Sequence, residues 1–303
     1  MLMLDSYNTL DILVNAVLAF IMLGLGLSLN ADSFKNIFIH PKPLTVALLL
    51  QIIGLPIISF SIACFSGLQD EVKVGIVIVS VCASGASSNL VTHLFKGNVA
   101  LAISMTVLNS IITLITIPLV VNLALMAFLG YTTEIKLPVI ETMLQIFSVS
   151  IFPASIGVLI RKLRPSFAKS MESPLKIVLT LLLGLVFTLK IFLGESKGGT
   201  GIQITEVLEI LPFLLLLNIC AMLLGFYGSR LFKVSYANQF TTAIEVGLHN
   251  TALALLISGT ILKETAMEKP AIVYAMFSFF TAVIFTFVIK RIYKGKENTT
   301  LSS

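Results

Sequence analysis

Three short stretches hold the residues of this chain whose types and spacing could do chemistry. The first is Glu245-Val246-Gly247-Leu248-His249-Asn250, inside an apolar run from about Tyr236 to Leu262. Of the fifteen acidic residues, Glu245 alone falls near the middle of a membrane-length segment. An ionised carboxylate at bilayer depth costs about 2.5 kcal/mol or more, so a chain keeps one where it has a partner, commonly on a cation pathway. The second stretch is Cys82-Ala83-Ser84-Gly85-Ala86-Ser87-Ser88-Asn89, a small and polar interruption of another apolar run. The third is Gln51, followed by Gly54-Leu55-Pro56. A small hard cation such as sodium can take its oxygens from the unwound backbone and short side chains of broken helices. Ser88, Asn89 and, one helix later, Thr106 offer neutral oxygens, and Glu245 offers the charge.

Each of these groups also has a plainer reading. A lone Ser or Thr in a span back-bonds to the preceding turn or packs helices, and a lone Gln makes an interhelical hydrogen bond. His249 could carry a proton, because imidazole titrates near neutral pH, or it could donate as a neutral ring to a backbone carbonyl. On an intact helix Glu245 and His249 would share a face; in an unwound segment that inference fails. Ser87 or Ser88 with His249 can be drawn as the nucleophile and base of an intramembrane serine protease, which leaves Glu245 and the paired interruptions without a purpose. His40 and His93 read as solvated residues near one membrane face. The three histidines and three cysteines show no zinc-ligand spacing.

The elements that must position these groups are membrane helices. The sequence is 57% hydrophobic and only 12% charged, with a mean hydropathy of +1.02, where a soluble domain carries roughly 25% charged residues. The fold class is therefore all-α and polytopic. Cys64, Cys82 and Cys220 lie in apolar segments and read as small core hydrophobes rather than a disulfide framework. Residues 1–8 lack the basic start of a cleavable signal, so the first apolar segment reads as a retained span. At about 20 residues per crossing, the chain predicts about nine spans, roughly 9–29, 43–66, 72–95, 98–128, 138–160, 175–193, 206–229, 236–262 and 270–290.

Loop charge alternates by side. Fourteen basic residues fall on one face, with Arg161, Lys162, Arg164, Lys169 and Lys176 in its most basic loop, against six on the other, namely Lys73, Lys136, Lys190, Lys197, Lys263 and Lys269. The positive-inside rule puts the N-terminus outside and the C-terminus in the cytoplasm. The net charge of +5 is thus a matter of membrane side, and no nucleic-acid partner is implied. An odd span count and two similar interruptions, ending in Asn89 and Asn250 and 161 residues apart, predict two halves of inverted topology, the usual frame of a transporter's binding site.

Together, Glu245 to Asn250, the Ser88-Asn89 pair, Lys96-Gly97-Asn98-Val99-Ala100-Leu101 and the Gln51 helix resemble the bile acid:sodium symporter family, over nearly the whole chain and in order. The resemblance implies a nine-helix member, lacking the first helix of ten-helix relatives, in an inner membrane. It implies one transmembrane domain over 1–303, with repeats at about 9–128 and 138–290. A core would hold the two discontinuous crossing helices, within about 43–128 and 206–290, and a panel of about 9–29, 138–193 and 270–290 would move against it. Two sodium sites are implied, one from Ser88, Asn89, Thr106 and Glu245, the other from Gln51, Glu245, His249 and the carbonyls of Val246 and Leu248. Asn250, Ala86, Ser87 and Thr281 would face an organic anion, with sodium, substrate and the lipid bilayer as partners and no obligate protein partner. The activity implied is symport rather than enzyme catalysis. Three positions depart from the family pattern. Ala83-Ser84-Gly85-Ala86 stands where Pro-Gly-Gly precedes the Ser-Asn pair, predicting a less sharply broken crossing. Ala102 replaces a serine ligand of the first site, and His249 replaces a glutamine of the second.

Overall fold

The computed structural model describes residues 9–28, 41–130, 137–194 and 197–293. Asp5, Lys35, His40, Glu134, Lys136, Glu195, Lys294 and Lys296, part of the sequence's charge and histidine tally, lie outside the described residues. The chain forms α1 (Thr9–Ser28), α2 (Lys42–Phe65), α3 (Asp70–Val81), α4 (Ala86–Leu94), α5 (Val99–Leu129), α6 (Val139–Leu163), α7 (Pro165–Phe192), α8 (Ile204–Leu231), α9 (Tyr236–Gly247), α10 (Thr251–Ile261) and α11 (Thr265–Tyr293). No β-strand occurs among the described residues; the only β-type pairing there is an isolated bridge between Ser84 and His249.

Among the described residues five helices are long and apolar enough to cross a membrane, α2, α5, α6, α8 and α11, with shorter apolar stretches at Ile12–Ser28, Ile177–Phe192 and Thr251–Ile261. Large apolar side chains such as Phe20, Ile53, Ile57, Ile115, Leu119, Leu185, Phe280 and Phe287 point outward, as a lipid-facing belt requires. Wide π turns at Leu50–Gly54 and Phe147–Ile151 each end two residues before a proline, Pro56 and Pro153, whose missing N–H leaves the turn before it short of a donor.

Two packing groups follow. Helices α1, α6 and α7 pack on one another, while α3 packs on α2, α5 and α11, and α8 packs on α9 and α11. The α1–α6 crossing is a backbone contact: a Cβ on Gly26 would lie 2.1 Å from the Ala154 carbonyl oxygen, and one on Gly157 2.3 Å from that of Leu23. Small residues are what let membrane helices approach this closely.

Three sequence expectations need correction. The basic stretch after Arg161 is not a loop: α6 ends at Leu163 and α7 begins at Pro165, because proline at a helix start needs no N–H and its φ is already helical. Lys190 and Glu268, counted as loop charges, are buried at 2% and 5% exposure and pair with each other at 2.9 Å, tying α7 to α11. Cys64 is exposed on the bundle surface rather than in the core; a thiol is apolar enough for that position.

Candidate functional site

Both interrupted spans are breaks between half-helices. The first helix stops at Val81 and resumes at Ala86, with Gly85 in an extended conformation as N-cap. The second stops at Gly247 and resumes at Thr251, and the Asn250 side chain accepts from the Leu253 amide at 3.1 Å. The first break is complete without a proline, because the run Cys82 to Gly85 is itself free to extend. The half-helix N-terminus is at Ala86, so Ser87 lies inside its first turn, and Asn89 lies a turn further on within α4. Asn89 and Asn250 therefore occupy different places: one is inside a half-helix and the other caps one. The residue that matches Asn250 as an N-cap is Gly85.

The breaks meet each other. The Asn250 amide donates to the Ala83 carbonyl at 2.8 Å, and His249 Nδ1 lies 3.3 Å from the Cys82 carbonyl oxygen. Carbonyls freed at the end of α3 thus find partners on the other crossing segment, as backbone in a membrane must.

Glu245, fully buried, sits at this crossing. Ser84 Oγ donates to Glu245 Oε2 at 2.5 Å, and Thr106 Oγ1 donates to the same oxygen at 3.1 Å. Asn89 Nδ2 reaches Thr106 Oγ1 at 3.3 Å, and Ser88 Oγ donates to the Gly85 carbonyl at 2.7 Å. Two buried acceptors remain without a hydrogen-bond donor, Glu245 Oε1 and Asn89 Oδ1. Helix α5 is held in register by a second contact: the Asn98 amide donates to Thr241 Oγ1, and Asn98 Nδ2 to Asn238 Oδ1, both at 2.8 Å. Thr241 and Glu245 are one turn apart, so docking Asn98 on the first helps set Thr106 against the second. Ala102 is fully buried on the same helix and contributes no oxygen from its side chain.

Of the residues singled out from the sequence, Glu245, Ser88, Asn89 and Thr106 come together. Gln51 is buried, and neither of its amide atoms has a hydrogen-bond partner; it lines a cavity of about 10 Å³ with Asn109, Thr116 and Val81. His249 keeps its ring against Tyr274, centroids 5.5 Å apart, and its Nε2 has no partner. Neither imidazole nitrogen meets Ser87 or Ser88, so no serine–histidine dyad is assembled. Val246 and Leu248 are buried beside the break. Thr281 donates to Asn218 Oδ1 at 2.6 Å.

Sequence reasoning missed three contributors. Ser84 lay in the quoted run but was given no role, and Asn218 and Tyr274 lay in helices read only as membrane spans. The one signal for Asn218 was its isolation as an amide between Leu217 and Ile219. An arrangement of one carboxylate, several hydroxyls and amide oxygens, some without donors, is chemically suited to a small cation, because unpaired buried acceptors are costly until something positive meets them.

Comparison with known sequences agrees with this chemistry. The model of the "Sodium Bile acid symporter family" matches residues 15–201. An "Uncharacterized sodium-dependent transporter YocS" of Bacillus subtilis is 26% identical over 95% of this chain and 88% of its own length. A "Probable sodium/metabolite cotransporter BASS2, chloroplastic" of rice is 30% identical over 80% of this chain, which spans 55% of that relative. The "Hepatic sodium/bile acid cotransporter" of the rat is 27% identical over 82% of this chain and 68% of its own. With broken helices crossing at a buried carboxylate and a family match over most of its length, this chain is a member of the sodium bile acid symporter family.

Proposed function

We propose that this protein is a sodium-coupled secondary transporter that moves an organic anion across an inner membrane by alternating access. The observation that carries the reading is Glu245 Oε1: a fully buried carboxylate oxygen without a donor where two half-helices cross, with Asn89, whose own Oδ1 is unpaired, linked to the same carboxylate through Thr106. Sodium there would neutralise Glu245 and draw on Ser88, Asn89 and Thr106. Because the same carboxylate is bonded to Ser84 of the opposite break, an ion at Glu245 stabilises both crossing segments at once. That linkage is what coupling requires, since an ion shifts a conformational equilibrium only by its differential affinity for the two states.

In this reading residues 9–128 and 138–290 are inverted repeats, the N-terminus is outside and the C-terminus cytoplasmic. Helices α1, α6 and α7 form the moving panel; the packing of α11 on α3 and α8 favours grouping it with the core. The anion meets Asn250, Ser87 and the start of α4 at Ala86, whose amides offer partial positive charge. Thr281 edges the crevice with its hydrogen directed to Asn218. A second sodium at Gln51, Glu245, His249 and the Val246 and Leu248 carbonyls is the weaker site, because imidazole replaces an amide oxygen. The relatives' names, sodium-dependent and bile acid or metabolite cotransporters, support a sodium-coupled anion carrier and leave the choice between a bile acid and a smaller carboxylate to experiment.

One observation favours a second reading. Glu245 Oε1 is buried without a donor, and a proton can occupy that oxygen as well as a sodium ion can, so coupling to protons through Glu245 and the neighbouring His249 is the alternative.

Uptake of a labelled bile acid and of labelled pantoate into proteoliposomes separates them. An inward sodium gradient should drive uptake of at least one anion in the wild type and not in Glu245→Ala. Uptake driven by a proton gradient without sodium would favour the alternative, and sodium-driven uptake surviving in Glu245→Ala would remove Glu245 from the mechanism.

A further inference from the structure

We propose that Asn218 and Tyr274 are positioning residues for the cation segment, holding the Gly247 carbonyl and with it Leu248 and His249, and that Thr281 steadies Asn218 for that task. The inference rests on the sodium reading of the Glu245 to His249 segment.

Helix α9 ends at Gly247, so its last carbonyls lack the amide partners that a continuing helix would give. At membrane depth no water replaces them. The Gly247 carbonyl instead accepts from Asn218 Nδ2 and from the Tyr274 hydroxyl, each at 2.7 Å. Asn218 Nδ2 also lies 2.8 Å from the Tyr274 oxygen. Both side chains are fully buried. The amide's two hydrogens thus go to Gly247 and Tyr274, and the single Tyr274 hydrogen goes to Gly247, so no donor in the group is left over.

The Gly247 carbonyl, which can only accept, decides which way round the amide sits, and Thr281 takes up the oxygen on the other side. Its hydroxyl donates to Asn218 Oδ1 at 2.6 Å. Turning the amide over would set its oxygen against the Gly247 carbonyl, acceptor facing acceptor. The segment is clamped from a second side as well, because a Cβ on Gly247 would lie 2.3 Å from Met222 Cγ. The Tyr274 ring then backs His249.

Two consequences follow. A carbonyl whose lone pairs both hold donors is a poor cation ligand, which leaves the flanking Val246 and Leu248 carbonyls as the backbone oxygens of the segment. The anchoring is also hierarchical. The first break is tied to the second through Cys82, Ala83 and Ser84, whereas the second is tied to α8 and α11 through Asn218 and Tyr274. Loosening Gly247 therefore loosens both crossings.

The test is apparent melting temperature of detergent-purified protein titrated with sodium chloride against potassium chloride, for wild type, Tyr274→Phe, Thr281→Val and Thr281→Ser. Tyr274→Phe keeps the ring beside His249 and removes two buried hydrogen bonds, the one given to Gly247 and the one taken from Asn218, so the sodium concentration for the half-maximal shift should rise about tenfold or more. Thr281→Val should raise it by a smaller factor, and Thr281→Ser should restore it. Wild-type sodium midpoints in both Tyr274→Phe and Thr281→Val would overturn the positioning role while leaving the sodium site standing, and so would variants that only melt earlier in potassium. A wild type with no sodium-specific shift would overturn the positioning role and the sodium reading together.

Discussion

Glu245 is held by hydroxyls: Ser84 and Thr106 share one of its oxygens, and among the described residues no cationic side chain pairs with it. A buried carboxylate in that position is unstable until neutralised, so each donor that orders it should matter to the ion that neutralises it. Ser84→Ala removes the 2.5 Å bond and leaves Thr106 in place; sodium half-saturation, measured by melting shift, should rise roughly tenfold, as expected for a charged-acceptor hydrogen bond. His249→Gln should act in the opposite direction, because an amide oxygen replaces an imidazole that is committed to the Cys82 carbonyl. Its sodium-dependent melting shift should exceed that of wild type, and an unchanged or smaller shift would count against His249 as a weak ligand. At this scale the sequence was informative where polarity interrupted an apolar run, which is why Glu245, Ser88, Asn89 and Thr106 stood out. Ser84 stood in such a run too, but its role depends on which segment crosses it. Asn218 and Tyr274 are isolated from other polar residues by apolar neighbours in membrane-length helices, a pattern shared with ordinary interhelical packing.

Helix boundaries show the same division. The two breaks were legible because Gly, Ser and Asn in hydrocarbon leave backbone groups unpaired, and the crossing then supplies partners. The join between α6 and α7 was not, because a cluster of basic residues marks the membrane face without saying whether the backbone there is coil or helix. Close approach of α1 and α6 is equally silent in sequence, since glycines also serve turns and kinks. With a Gly157 Cβ only 2.3 Å from a carbonyl oxygen, Gly157→Leu must push the two helices apart. The expected result is loss of a monodisperse peak in size-exclusion chromatography or a melting temperature lowered by about 5 °C or more, in line with a cost of about 1–3 kcal/mol for overpacking. A wild-type profile would mean that α1 and α6 tolerate separation.

At the scale of the whole molecule, one feature that joins the α1–α6–α7 group to the rest by charge is Lys190 with Glu268, nearly dry and 2.9 Å apart. Gly259 stands against it, since a Cβ there would lie 2.1 Å from Glu268 Oε1. Removing one side of this pair weakens the neutralisation of a buried charge, so Lys190→Met should be destabilising by about 3 kcal/mol, while Lys190→Met with Glu268→Gln should recover part of the loss; melting curves of the three proteins decide it. Neither partner looked special in sequence, because both lie at the ends of spans where charges are ordinarily solvated. The measurement that bears most directly on the account as a whole is the melting temperature of wild type and Glu245→Ala in rising sodium, with potassium as the control. Ligand that binds only the folded state raises stability by mass action, so wild type should gain stability from sodium alone and Glu245→Ala should gain none. An equal sodium-specific gain in both proteins would contradict a cation site at Glu245.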